Sequence, residues 1–230
     1  MKIAKSSLSF MLLSVVFVLL SVLSPTLFVD DYAGWRQNWW SAVPIALLAL
    51  FSMFFLPIFA LKRLFKDNPE SYGLRFPENP RKSFWLTLAA ILVLLPVIVF
   101  FGTEEAFQAY YSMGSVSLTQ FLVAAVFASL IYYAAEEFLF RGFLFWGLWY
   151  KIKYHGFWVS ALLFALFHLT KPLPEVFFAF FAGLVFAYLS FKTKSFIPAV
   201  VAHFAIALIL NLLIFFSLGA PSDTQNIFHF

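Results

Sequence analysis

Apolar residues run along this chain in long unbroken stretches, and polar residues are confined to the breaks between them. Seven runs stand out: Leu8–Val29, Ser41–Leu61, Ser83–Phe101, Leu118–Trp149, Phe157–Leu169, Pro174–Leu189 and Phe196–Leu218. A helix needs about 20 apolar residues to cross a bilayer, and most of these runs supply them. Strands of a membrane barrel would instead alternate apolar and polar positions over about ten residues. Continuous runs suit helices, which satisfy their own backbone hydrogen bonds in lipid. The pattern predicts an all-α polytopic membrane protein, a helical bundle of about seven transmembrane helices, forming one membrane domain over residues 1–230. Two runs fit awkwardly. Leu118–Trp149 is roughly twelve residues longer than a span requires, which predicts strong tilt or projection from the membrane. Phe157–Leu169 is short, which predicts a helix that extends into its flanks or ends inside the bilayer.

Composition narrows the class further. Hydrophobic residues make up 63% of the 230 and charged residues only 11%, against about 45–50% and 25% in soluble domains. That is too little polar surface to coat a water-facing globule. With no cysteine in the chain, disulfides, thiolate metal sites and cysteine nucleophiles are excluded. The basic residues are scattered singly between apolar runs, so no nucleic-acid partner is expected. Lys2 and Lys5 before an apolar stretch imitate a signal peptide, but the run is long and Leu23–Thr26 lacks a small-x-small cleavage site. The first run is therefore expected to stay as a span.

Basic residues also orient the spans, because cytoplasmic loops retain Lys and Arg. Lys2, Lys5, Lys62, Arg63, Lys66, Arg75, Arg81, Lys82, Lys151, Lys153, Lys192 and Lys194 all fall on one side. The other side holds only Arg36 and Lys171, together with Asp30, Asp31, Glu104, Glu105 and Asp223. The expected topology is N-terminus cytoplasmic and C-terminus outside, in a bacterial or archaeal inner membrane. Glu104 and Glu105 read as solvated loop charges. The segment from Lys62 to Lys82, with Phe76 and Trp85 nearby, reads as resting on anionic headgroups.

The remaining basic residue, Arg141, lies within the fourth run, in the stretch Glu136-Glu137-Phe138-Leu139-Phe140-Arg141. An unpaired charge at a span centre costs about 2.5–3.5 kcal/mol, so three demand pairing or a role. Glu137 and Arg141 are four apart and share a helix face, so they can pair. Glu136 is turned about 100° away and stays available as a general base. His168 ends the run Phe164-Ala165-Leu166-Phe167-His168, and His203 lies in the last run. Counting about 1.5 Å per residue from the basic loops, Glu136, His168 and His203 fall roughly 15, 18 and 12 Å deep. Two chemistries fit. Zinc held by His168, His203 and Glu136 would need an open position for water. Without metal, Glu136 would deprotonate a water held with help from His168, and His203 would stabilise the oxyanion. Serine schemes find no support, since no G-x-S-x-G occurs.

These residues resemble a known family. Glu136 to Arg141 matches EExxxR, Phe164 to His168 matches FxxxH, and His203 matches the third motif of the CAAX-protease and bacteriocin-processing (CPBP, or Abi) intramembrane proteases. The resemblance covers residues 118–218, the CPBP-like catalytic core. It implies an intramembrane endopeptidase of glutamic type acting on a membrane-associated protein or peptide in the lipid bilayer, without a cofactor. Carried over, Glu136 is the base, His168 its partner on the water, Glu137 and Arg141 the supporting pair, and His203 an oxyanion donor. The family often has Asn or Asp four residues after the last His, and here that position is Ala207. Asn211 lies eight residues on, on nearly the same face, and reads first as a helix-packing hydrogen bonder. Two other functions stay open: a non-catalytic immunity or scaffold protein of the same fold, or a transporter using its intramembrane charges.

Overall fold

The structure is a computed structural model and describes residues 6–23, 29–30, 34–35, 38–113 and 116–217. Arg36, Asp31, Asp223, Lys2, Lys5 and the end of the first run lie outside the described residues. Besides a short 3-10 turn at Pro69–Tyr72, the described residues include eight longer helices: α1 (Ser7–Leu23), α2 (Trp39–Phe65), α3 (Pro80–Thr103), α4 (Glu105–Tyr111), α5 (Leu118–Ile152), α6 (His155–Phe167), α7 (Leu173–Thr193) and α8 (Ile197–Ser217). Five of them (α2, α3, α5, α7 and α8) are long and apolar enough to cross a membrane, and α1 and α6 are shorter apolar helices. Each of the seven apolar runs thus holds one helix, and the fold is all-α. The eighth, α4, was not expected. It lies in the loop after α3, where Phe107 stacks on Phe101 at 4.1 Å, while Glu104 and Glu105 remain exposed.

The polar breaks stop and start the helices by ordinary capping. Asn79 accepts from the Lys82 amide and precedes Pro80 at the start of α3. Ser117 and Gln120 form a capping box on α5. Both awkward runs resolve. α6 has 13 residues, about 20 Å, and so ends inside a bilayer about 30 Å thick. α5 is one continuous helix of 35 residues, and every position from 135 to 148 is buried. Its excess length is not free in water. The connection between α2 and α3 folds over that end, and the Tyr150 hydroxyl donates to the Ser71 carbonyl at 2.6 Å.

α5 is the axis of the bundle. α1 and α2 pack on one side of it, and α6 and α7 lie beyond it. α3, α7 and α8 share a second apolar core built on Leu94, Ile98, Phe186, Ile206 and Leu210. Where α1 crosses α5, Phe10 fills the notch left by Gly147 and stacks on Phe65 at 4.6 Å. A Cβ at Gly147 would lie 2.3 Å from that buried ring. Gly147→Ala is expected to cost about 1–3 kcal/mol by overpacking, read as a lower unfolding temperature in detergent. An unchanged temperature would mean that α1 does not depend on this notch.

Candidate active site

The EExxxR stretch spans a change in helical winding. After an earlier π-helical stretch at Val123–Ala128, α5 is α-helical from Ser129 to Glu137 and π-helical again from Phe138 to Leu144. Wide turns of this kind disturb the regular backbone ladder, and neighbouring helices must satisfy what is released. Here Ser160 of α6 donates to the Phe140 carbonyl at 3.1 Å, and Ser190 of α7 donates to the Arg141 carbonyl at 3.0 Å. Ser190 in turn accepts from Trp146 Nε1 at 3.2 Å. Small residues let these helices approach closely: a Cβ on Gly183 of α7 would stand 3.1 Å from the Ala161 Cα of α6. The motif is thereby clamped by both neighbours.

Three charged groups meet inside this clamp. Glu137 Oε2 lies 3.1 Å from Arg141 Nε, an ion pair not aligned as a hydrogen bond, and both side chains are fully buried. The other guanidinium nitrogens have no hydrogen-bond partner among the described residues. They lie instead in an aromatic box, with the guanidinium carbon 3.8 Å above the Phe164 ring and 5.2 Å from Phe186. Glu137 Oε1 takes a further bond that spacing along the chain does not reveal. It lies 2.7 Å from His203 Nδ1, so one carboxylate joins Arg141 to α8.

Both histidines are tied by the same nitrogen. His168 caps α6, and its Nδ1 lies 2.8 Å from the Phe164 carbonyl. A carbonyl only accepts, so Nδ1 carries the proton and Nε2 keeps a free lone pair. With Nδ1 of His203 donating to Glu137, its Nε2 is free as well. His203 is held between Tyr133 at 4.3 Å and Phe186 at 5.2 Å.

His168 and His203 line one cleft, with about 520 Å³ of empty space, part of it open to the outside. Its floor and walls are apolar, from Ile98, Phe178, Ile206 and Leu210 among others. Glu136 does not form its wall. It is buried beside it, within Coulombic reach of His203, Lys171 and Arg141. Its Oε1 has no hydrogen-bond partner among the described residues. Among those residues, no three His, Cys, Asp or Glu side chains gather as a metal-holding group.

Two features of the cleft depart from expectation. Ala207 and Asn211 both line it, and Asn211 makes no hydrogen bond among the described residues. The amide faces the cleft without the interhelical bond that the packing reading requires. Sequence reasoning also passed over a polar cluster at the far end. Lys171 Nζ lies 2.8 Å from Glu175 Oε1, and the Tyr111 hydroxyl donates to the same carboxylate at 2.6 and 2.8 Å. Burial, the largest single effect, opposes the Lys171 charge, but Glu175, Tyr111, Tyr133 and Glu136 together outweigh it and hold the ammonium pKa well above its ordinary value. Burial holds the Tyr111 phenol well above its own, and Glu175 adds to the effect against Lys171. At neutral pH Lys171 is therefore an ammonium and Tyr111 a protonated phenol. An acid four residues after a lysine, at the head of an apolar helix, was the signal available for it.

Residues 115–209 match the family model described as Type II CAAX prenyl endopeptidase Rce1-like. Over this site-bearing segment the chain is similar to the CAAX-protease family. That matched segment holds Glu136, Glu137, Arg141, His168 and His203, and also Lys171 and Glu175. Asn211 and the first three apolar helices lie outside it. No curated protein and no solved structure matches the chain. With its apolar helices, the chain that carries this CAAX-protease-like segment is an integral membrane protein.

Proposed function

We propose that the protein is a glutamic-type intramembrane endopeptidase, hydrolysing a peptide bond of a membrane-associated protein or peptide near the end of an apolar segment. The observation that carries this is the pairing of an unpartnered buried carboxylate, Glu136, with two histidines whose Nδ1 atoms are both tied off. Packing alone has no use for a carboxylate left unsatisfied in an apolar interior. A water held at His168 Nε2 gives a proton to Glu136 as its oxygen attacks the scissile carbonyl carbon. The tetrahedral intermediate collapses, the C–N bond breaks, and Glu136 returns that proton to the departing amine.

His203 has a condition attached to its role. With Nδ1–H committed to Glu137, Nε2 can donate to an oxyanion only when the ring is an imidazolium. Glu137 balances that charge, and Arg141 holds Glu137 in place. The Asn211 amide, free and facing the cleft, is a second donor to the oxyanion and supports turnover despite Ala207. The basic loops support a cytoplasmic N-terminus and an external C-terminus in the inner membrane of a bacterial or archaeal cell.

The test compares membrane-protein termini by peptide mass spectrometry in cells carrying the native chain or Glu136→Gln at matched expression. New termini found only with the native chain are expected, and they identify the substrate. Identical termini, with the biological effect of the native chain retained by the mutant, would replace the peptidase by the scaffold.

A further inference from the structure

The two ends of the cleft are built differently. Near the basic loops the segment 67–75 closes the bundle. Tyr72 is buried there and donates to Asp67 Oδ2 at 2.8 Å. Gly73 adopts a left-handed backbone with φ of 81°, close against the Trp146 indole, and its carbonyl accepts from the Phe196 amide at 3.3 Å. Arg75 Nε donates to the Lys194 carbonyl at 3.0 Å, and Ser195 donates to the Arg75 carbonyl. This loop ties α5, α7 and α8 together at the end of the bundle nearest the basic loops.

The opposite end is polar and partly exposed. Along α7 the cleft runs from Phe186 up to Glu175, and along α8 from His203 up to Asn211. α7 runs away from the basic loops toward its N-terminus, and α8 away from them toward its C-terminus. Both therefore carry the cleft away from those loops. At its end stand Lys171, Glu175 and Tyr111, with side-chain exposures of 23% for Lys171 and 11% for Glu175. His203, at the inner end, is 10% exposed.

We propose that substrate reaches the site from the face opposite the basic loops, the extracytoplasmic face, past a latch formed by Lys171, Glu175 and Tyr111. The substrate class follows from the lining: an extended apolar peptide segment lying in the outer leaflet, not one presented from the cytoplasm. The latch joins the α6–α7 corner to α4 through a single carboxylate, so parting it widens the mouth without disturbing Arg141 or Glu137. The term substrate rests on the peptidase reading, whereas the direction of access rests only on the fold and the placement of the basic loops.

The chain contains no cysteine, so single-cysteine variants report access directly. Ala207→Cys, a small change on the cleft wall, and Lys151→Cys, exposed on the basic face, are treated with a charged, membrane-impermeant thiol reagent. The reagent is applied to spheroplasts and to inverted membrane vesicles. Ala207→Cys is expected to label in spheroplasts about tenfold faster than in vesicles, and Lys151→Cys the reverse, as charged probes cross lipid poorly. Loosening the latch by Glu175→Gln or by Tyr111→Phe should raise the Ala207→Cys rate by a factor of about 2–5, the range of one partly exposed ion pair or hydrogen bond. Labelling of Ala207→Cys from the vesicle side alone, or from neither side, overturns the proposal. Rates unmoved by both latch variants overturn the latch. Repeating the assay in Glu136→Gln keeps the outcome independent of catalysis, so a failed peptidase reading and a failed access route are told apart.

Discussion

Glu137→Ala is expected to lower the stability of the bundle by about 3–5 kcal/mol, the usual consequence of removing one partner from a buried ion pair. The guanidinium of Arg141 is fully buried, has no hydrogen-bond partner among the described residues, and is otherwise offset by aromatic faces and by Glu136 at Coulombic range. The carboxylate also holds His203, so its loss frees a side chain on α8 at the same time. The double variant Glu137→Ala/Arg141→Met removes both charges and should recover most of the loss, because an apolar replacement of a whole pair is often neutral or better. Unfolding in detergent measures both. If the double variant is no more stable than the single one, the cost lies in the bond to His203 rather than in the stranded charge. Catalysis should fail in both variants, since neither fixes the His203 ring.

Glu136→Gln should separate stability from activity in the opposite sense. Removing a general base lowers turnover by a factor of about 10²–10⁴, measured on a substrate found through its new terminus. The same change removes a charged group that has an unsatisfied buried oxygen. The unfolding temperature should therefore hold or rise, as happens when strained functional groups are neutralised. A variant that loses activity and stability together would make Glu136 a structural group, and the proposed water activation would fall with it.

The sequence exposed those parts of the molecule that depend on local periodicity. Continuous apolar runs located all seven apolar helices, and the pair at Glu137 and Arg141 could be read because both lie on one helical face. Where two helices meet, that signal ends. Nothing along the chain couples Glu137 to His203, 66 positions away, and a ladder of apolar residues looks the same whether it faces lipid or another span. Lys171 counted only as a loop charge because its partners, Glu175 and Tyr111, are assembled by the α6–α7 corner and the unexpected α4. Segment 67–75 falls within the stretch read as resting on anionic headgroups, and its role in tying the bundle together comes from carbonyls and amides that carry no residue code.

The wide turns from Phe138 to Leu144 bear on how such a site can change over evolutionary time. Arg141 lies within this stretch and Trp146 just beyond it, so their facing depends on the number of residues that precede them. Deleting one residue would carry every later side chain of α5 through about 100°. Trp146 would leave Ser190, and the notch at Gly147 would turn away from Phe10. Apolar neighbours such as Leu139 can be exchanged for others of similar volume, but the reading length of the segment cannot drift. Descendants of this chain are free to vary in spelling there, while insertions and deletions are confined to the loops.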